Sequence, residues 1–200
     1  MGGKAKYEFI DDGMLDEACA EGRRSPRLRM NRNFHRSTDE AVNRLLNAMH
    51  RGSYIPVHRH LSPERSESCV VLRGRAGLTI YDDEGRVAAR RIAGPDCDCK
   101  GFDLEAGVWH GLTVLEDDTV LFEVKQGPFA PIAADDIAPW SPAAEDAEAV
   151  RDFVNESENE FNKIENYEEK RIFAAFAGRR SRCRRLCRAH RVDGGSRTQG

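Results

Sequence analysis

Two histidines one residue apart, His58 and His60, followed by Glu67 and further along by His110, are the side chains in this sequence best suited to chemistry. In an extended segment side chains alternate between faces, so His58 and His60 project together and their imidazoles can converge on one ion. Glu67 opens the next apolar run and can return a carboxylate toward them. His110 follows Gly107-Val108-Trp109 at the start of a later run, where a neighbouring or facing strand completes the set. Three neutral imidazoles and a carboxylate suit one divalent transition metal, Fe, Mn, Ni, Co or Zn, and differ from the all-oxygen shells of Ca and Mg. Glu64 competes for the carboxylate position, but Ser62-Pro63-Glu64-Arg65 reads as a loop, which favours Glu67. His35, His50 and His190 read as structural. Cys97-Asp98-Cys99 and Cys183-x-x-x-Cys187 with His190 lack the paired C-x2-C spacing of a structural zinc site, and all six cysteines, Cys19 and Cys69 included, are expected as free thiols.

The elements that must position these residues are legible as a change of period. Asp11 to Gly22 places Met14, Leu15, Ala18 and Cys19 at helical spacing between an acidic start and a glycine. The Arg-rich stretch Arg23 to Asn33, broken by Pro26, reads as extended. A second helix is expected from the Ser37-x-x-Glu40 capping box, with Val42, Leu45, Leu46 and Met49 as its apolar face, ending near Gly52. From Gly52 to Lys125 short apolar or alternating runs are separated by turn residues. They are Val70 to Leu72, Leu78 to Tyr81, Arg86 to Ile92, Trp109 to Leu115 and Thr119 to Lys125. Strands at this frequency mean a β-barrel or sandwich. The Ala, Pro and Asp-rich stretch through Pro142 is expected to wrap the barrel with Trp140 as its anchor. Asp146 to Lys170 is acidic and helix-permissive, and the Arg-rich sequence from Arg179 is expected to be a disordered tail. Three regions follow: an N-terminal helical and Arg-rich extension (1–51), a barrel with its wrapping segment (52–142), and an acidic then basic tail (143–200).

A chain of 200 residues accommodates one substantial core with appendages. Its net charge of -3 argues against a whole-protein nucleic-acid or membrane binder, because those partners demand a basic face. No apolar run reaches the length of a membrane span, and the first residues are polar, so a cytoplasmic protein with no membrane or nucleic-acid partner is expected.

Gly52, His58, His60, Glu67 and Gly74 resemble the first motif of the cupin superfamily, G-x5-H-x-H-x(3,4)-E-x6-G, with the interval from His60 to Glu67 two residues longer than usual. Gly107 and His110 match the second motif, in which Glu105 stands for the usual Pro and Val114 for Asn. More closely, the stretch from about Ser25 to Pro142 resembles the WbuC family of cupin-fold metalloproteins, found in bacterial surface-polysaccharide (O-antigen) gene clusters. The resemblance is carried by Pro26-Arg27-Leu28-Arg29-x-Asn31-x-Asn33-Phe34-His35, Arg44-Leu45-Leu46-Asn47, Gly52 to His60, Trp109-His110, Glu123-Val124-Lys125-x-Gly127-Pro128-Phe129 and Ala138-Pro139-Trp140. It implies a mainly β cupin barrel, a double-stranded β-helix or jelly roll, holding one metal ion through His58, His60, Glu67 and His110, and a homodimer as the default assembly.

Beside the metal ligands, Tyr54, Glu123 and Lys125 are candidates for acid or base work, although Glu123 and Lys125 share a strand face that also suits a solvent-facing ion pair. Arg27, Arg29 and Trp109 are candidates for binding a small anionic or sugar-like ligand, Arg27 and Arg29 by bidentate hydrogen bonds. Cys69 has the parity of Glu67 and is expected to face inward as an inert thiol. An open position on the ion would serve oxygenation or sugar-type isomerisation. The competing expectation is a binding protein in which the ion is structural.

Overall fold

The computed structural model describes residues 6–166. The chain divides after Phe161; the barrel and its cavity lie before that point, and residues 162–166 beyond it are helical. Cys183, Cys187, His190 and the Arg-rich sequence from Arg179 lie outside the described residues.

Helix α1 (Asp12–Arg24) starts where Asp11 caps it, accepting a hydrogen bond from Met14 N at 3.0 Å. Eight strands follow: β1 (Arg29–Asn33), β2 (Val42–Met49), β3 (Glu67–Arg73), β4 (Ala76–Tyr81), β5 (Val87–Ala93), β6 (Gly101–Leu104), β7 (Trp109–Val114) and β8 (Thr119–Gln126). They form a five-stranded sheet in the order β1-β2-β8-β3-β6 and a three-stranded sheet in the order β5-β4-β7, paired antiparallel throughout. Met49, Cys69, Val71 and Leu121 of the larger sheet pack with Ala76, Ala93 and Val114 of the smaller one in a single buried cluster. The two sheets thus face each other as the cupin barrel that the motifs implied, with N- and C-terminal helices outside it.

The segment after Ser37 differs from expectation: Val42–Met49 is a strand, not a helix. Ser37 and Glu40 do accept backbone hydrogen bonds, from Asp39 N and Arg36 N, but they close a turn instead of opening a helix. The physical reason is that β2 is covered on both sides. Leu46 and Ala48 pack outward under Leu15, Ala18 and Cys19 of α1, while Leu45 and Met49 point into the barrel. Burial on both faces erases the alternation of a half-exposed strand, and Val42, Leu45, Leu46 and Met49 then fall by chance on a helical stripe. A second correction follows. β1 and β2 are barrel strands, so the barrel begins at Arg29 and the first 51 residues are not a mere extension.

Outside the smaller sheet, Val57, Trp109 and Ala138 form a buried cluster with Tyr81, Trp140 and Phe153 against it. Trp140 is the anchor of the wrapping segment, 5.4 Å from the Trp109 ring and 6.1 Å from that of Tyr81. Helix α2 (147–166) buries Phe161 completely over Gly77 of β4, where a Cβ would stand 2.5 Å from the ring. Full burial of such a ring contributes about 1.5–3 kcal/mol.

Candidate metal centre and cavity

The barrel encloses a cavity of about 460 Å3, in the range of small-molecule sites. Its larger wall is the inner face of the five-stranded sheet, and the strand registers set the side chains in rows. Asn43, Lys125 and Glu67 lie side by side on β2, β8 and β3; Asn33, Leu45, Glu123, Cys69 and Phe102 form the next row; Asn31, Asn47 and Leu121 the third. His110 and Leu112 of β7 and Leu78 of β4 line it from the smaller sheet.

His58 and His60 are not on a regular strand. His58 makes isolated bridges to His110 and to Ile137, its N–H donating to the His110 carbonyl at 3.0 Å. The loop after it is fastened by Asp136, which is only 2% exposed. The Asp136 carboxylate accepts from Leu61 N at 3.0 Å, Ser62 N at 2.7 Å and Arg59 Nε at 3.1 Å. Burial opposes its ionisation, yet the Ser62 and Leu61 amides and the Arg59 guanidinium hold its pKa below the usual carboxylate value.

The structure brings His58, His60 and His110 together, with ligand nitrogens within 4.8 Å of one another; among the described residues no other such cluster of His, Cys, Asp or Glu is found. His58 Nδ1 lies 2.9 Å from the Pro56 carbonyl and His110 Nδ1 2.9 Å from that of Val108. Each Nδ1 therefore carries a hydrogen, and each Nε2 is the nitrogen turned to the cavity. Burial, then the neighbouring His110 and His60, lowers the His58 pKa to about 3, so its imidazole stays neutral.

Glu67 is buried beside them. One carboxylate oxygen lies 3.1 Å from His110 Nε2; the other lies 3.4 Å from His60 Nε2 and 2.6 Å from Lys125 Nζ. Burial raises the Glu67 pKa, but contacts with His110, His60 and Lys125 outweigh it and hold the group well below the ordinary value. With its Nδ1 engaged by Val108, His110 meets the carboxylate through Nε2: a protonated ring donates to Glu67, and a neutral ring leaves two acceptors facing each other, which a cation between them would reconcile. His60 Nε2 is buried without a hydrogen-bond partner, its 3.4 Å approach to Glu67 being misaligned for a hydrogen bond. Donors sharing an ion at bond lengths near 2.1 Å stand about 3.0–3.4 Å apart. The Glu67 separations fall at that spacing, while the three imidazole nitrogens, within 4.8 Å of one another, lie wider and would draw together around an ion; the donor types suit a transition metal.

Glu123 and Lys125 point into the cavity, not to solvent: Lys125 bridges Glu67 and Glu123, the latter at 2.9 Å. The two carboxylates raise the Lys125 pKa despite the opposing effect of burial. Cys69 is inward as its parity required, and burial pushes its thiol pKa up. Glu64 is exposed in its loop. Arg27 and Arg29 line the cavity, Arg29 donating to the Tyr54 carbonyl.

Two candidates are corrected. The Tyr54 hydroxyl lies outside the cavity lining, 2.7 Å from Ser141 Oγ and donating to the Pro142 carbonyl at 2.6 Å, where it ties down the wrapping segment. Trp109 also faces away, packed on Trp140 with the Arg59 guanidinium 4.4 Å from its ring centre; since His110 points inward, alternation turns its neighbour out.

Sequence reasoning missed Asn43, Asn47 and Arg65 as cavity residues. The first two share the parity of Leu45, a signal hidden by reading β2 as a helix. His35 also reaches the lining, but its Nδ1 is engaged by the backbone of Arg44. His50 is structural, its Nε2 2.9 Å from the Cys19 carbonyl.

A family model described as a domain of unknown function, DUF6016, matches residues 10–93. No curated protein matches the sequence. Among solved structures the chain is similar to KdgF from Halomonas sp., at 16% identity, covering 54% of this chain and 85% of that one with a TM-score of 0.41. It is also similar to the capsular polysaccharide assembling protein CapF from Staphylococcus aureus, at 15% identity, covering 52% of this chain and 29% of that one with a TM-score of 0.41. The cupin domain of Cnp3 from Schizosaccharomyces pombe is similar at 15% identity, covering 48% of this chain and 62% of that one with a TM-score of 0.38.

Proposed function

We propose that the chain is a metal-dependent cupin enzyme acting on a small polar, sugar-like substrate, with one divalent transition-metal ion held by His58, His60 and His110 and with Glu67 as the carboxylate ligand. The observation that carries this reading is the convergence of the three imidazoles, two of them locked by backbone carbonyls with their Nε2 atoms toward a cavity. A bound ion would supply Lewis-acid polarisation of a substrate oxygen. The chain's own groups do the rest. The Lys125 ammonium, kept charged by Glu67 and Glu123, can donate a hydrogen bond to substrate; Leu45, Phe102 and Leu112 exclude water from one side of it. The WbuC-like motifs support a role in surface-polysaccharide biosynthesis, in the cytoplasm and as a homodimer.

The 2.6 Å ion pair between Lys125 and Glu67 favours a second reading of the same centre, in which three histidines hold the ion and Glu67 remains the counter-ion of Lys125. Elemental analysis of protein purified without a metal-affinity column tests both: about one ion per chain is expected, lost in His58→Ala and His110→Ala. Loss in Glu67→Gln supports four ligands, and retention supports three. Wild-type protein free of transition metal would end the proposal, whereas stoichiometric metal without turnover across a panel of sugars and sugar acids would make the chain a binding protein.

A further inference from the structure

The β1 and β2 side of the cavity carries polar groups that metal binding does not use. Asn43 and Asn47 are 5% and 7% exposed, both line the cavity, and the Oδ1 atom of each is buried without a hydrogen-bond partner. Further along the same wall, opposite Met49, Arg29 is half-buried, with a pKa lowered by burial and then by Arg27; among the described residues neither arginine has a carboxylate within salt-bridge distance. By register Asn47 pairs with Asn31, one inward position along β1 from Arg29.

These atoms restrict what can bind. Two orphaned acceptors require a ligand that donates hydrogen bonds. Two guanidinium groups without counter-ions repel a cationic donor such as an ammonium and attract an anion. Neutral donors on an anionic frame are hydroxyl groups beside a carboxylate. Neighbouring hydroxyls also match an amide well, since each can donate to Oδ1 while accepting from the amide nitrogen.

We propose that this wall is a subsite for a polyhydroxylated carboxylate, with its hydroxyls on Asn43 and Asn47 and its carboxylate at Arg29. The inference rests on the preceding reading only in taking the cavity as the substrate chamber, and it does not require the ion.

The test is calorimetric titration of the full chain, stripped of metal with a chelator, using D-gluconate, sorbitol and hexanoate as probes. Gluconate is expected to bind, and sorbitol and hexanoate to bind about tenfold or more weakly, because each lacks one half of the recognition. Asn43→Leu, Asn47→Leu and Arg29→Met are expected to weaken gluconate about tenfold while leaving metal content unchanged. A further readout guards against trivial misfolding: without ligand, Asn47→Leu should melt at a higher temperature than wild type, because a near-isosteric apolar side chain replaces an unpaired buried acceptor. Absence of gluconate binding, equal affinity for hexanoate, or unchanged affinity in both Asn variants would overturn the proposal. Gluconate binding to a protein that never takes up metal would leave this inference standing and sink the metal reading alone.

Discussion

The two halves of the larger sheet's inner face are built on opposite principles. On β3 and β8, charges meet charges: Lys125 lies between Glu67 and Glu123, and Glu67 reaches toward two imidazoles. On β1 and β2, Arg29, with Arg27 just before β1, lines the cavity without a carboxylate, and two asparagine oxygens are buried unpaired. The first half is self-compensated and holds a fixed geometry; the second costs stability as it stands. A polar group that folding alone would remove is retained where something other than folding uses it. That contrast, more than the cavity's size, separates a wall whose charges are paired with one another from a wall whose polar groups are not.

The largest effect should come from breaking the compensated half. Lys125→Met leaves Glu67 and Glu123 without their cation in a site where the lysine is itself only 21% exposed, and should cost about 3 kcal/mol at neutral pH, read from urea unfolding. A stability change below about 0.5 kcal/mol would show that the two carboxylates do not depend on the lysine.

A smaller, pH-dependent effect should come from His58. Its folded pKa of about 3 lies below the unfolded value near 6.5, so the unfolded chain takes up a proton first as pH falls. The stability contributed by keeping His58 neutral is therefore complete above about pH 6.5 and is lost progressively down to about pH 3. In metal-free protein, the difference in urea midpoint between wild type and His58→Gln should shift against the wild type across that window. A difference independent of pH would refute the depressed pKa.

The smallest effect on the site should come from Tyr54→Phe. This change removes hydrogen bonds to Ser141 and Pro142 outside both halves of the cavity, so about 1 kcal/mol of stability should be lost. Metal content should not change. A large loss of metal would mean that the wrapping segment, not the sheet, governs the centre.

How much of this was legible in the sequence depended on whether a strand had one solvent face. In β3 the buried positions Glu67, Cys69 and Val71 alternate with exposed Ser68 and Val70, so the inward direction of Glu67 could be read from parity. The same parity on β8 grouped Glu123 with Lys125, but nothing in it told whether that face met water or a cavity. On β2 both faces are buried, the alternation vanished, and Asn43 and Asn47 vanished with it. Trp109 shows the reverse: the rule that turned His110 inward already turns Trp109 outward, against its place among the ligand-binding candidates. The loop carrying His58 and His60 was recognisable by motif. Its fastening to Asp136 was not, since no local pattern announces a contact so distant in the chain.

That fastening sets an order of events in time. Asp136 lies 75 and 74 residues beyond the Leu61 and Ser62 amides it holds. At synthesis rates of about 5–20 residues per second, the segment bearing His58 and His60 exists for roughly 4–15 s before its clamp has been made. Contacts so far apart in the chain are also among the slower to form once available. The clamp on the three-imidazole constellation is accordingly expected to close late, after the segments that form the strands have been made.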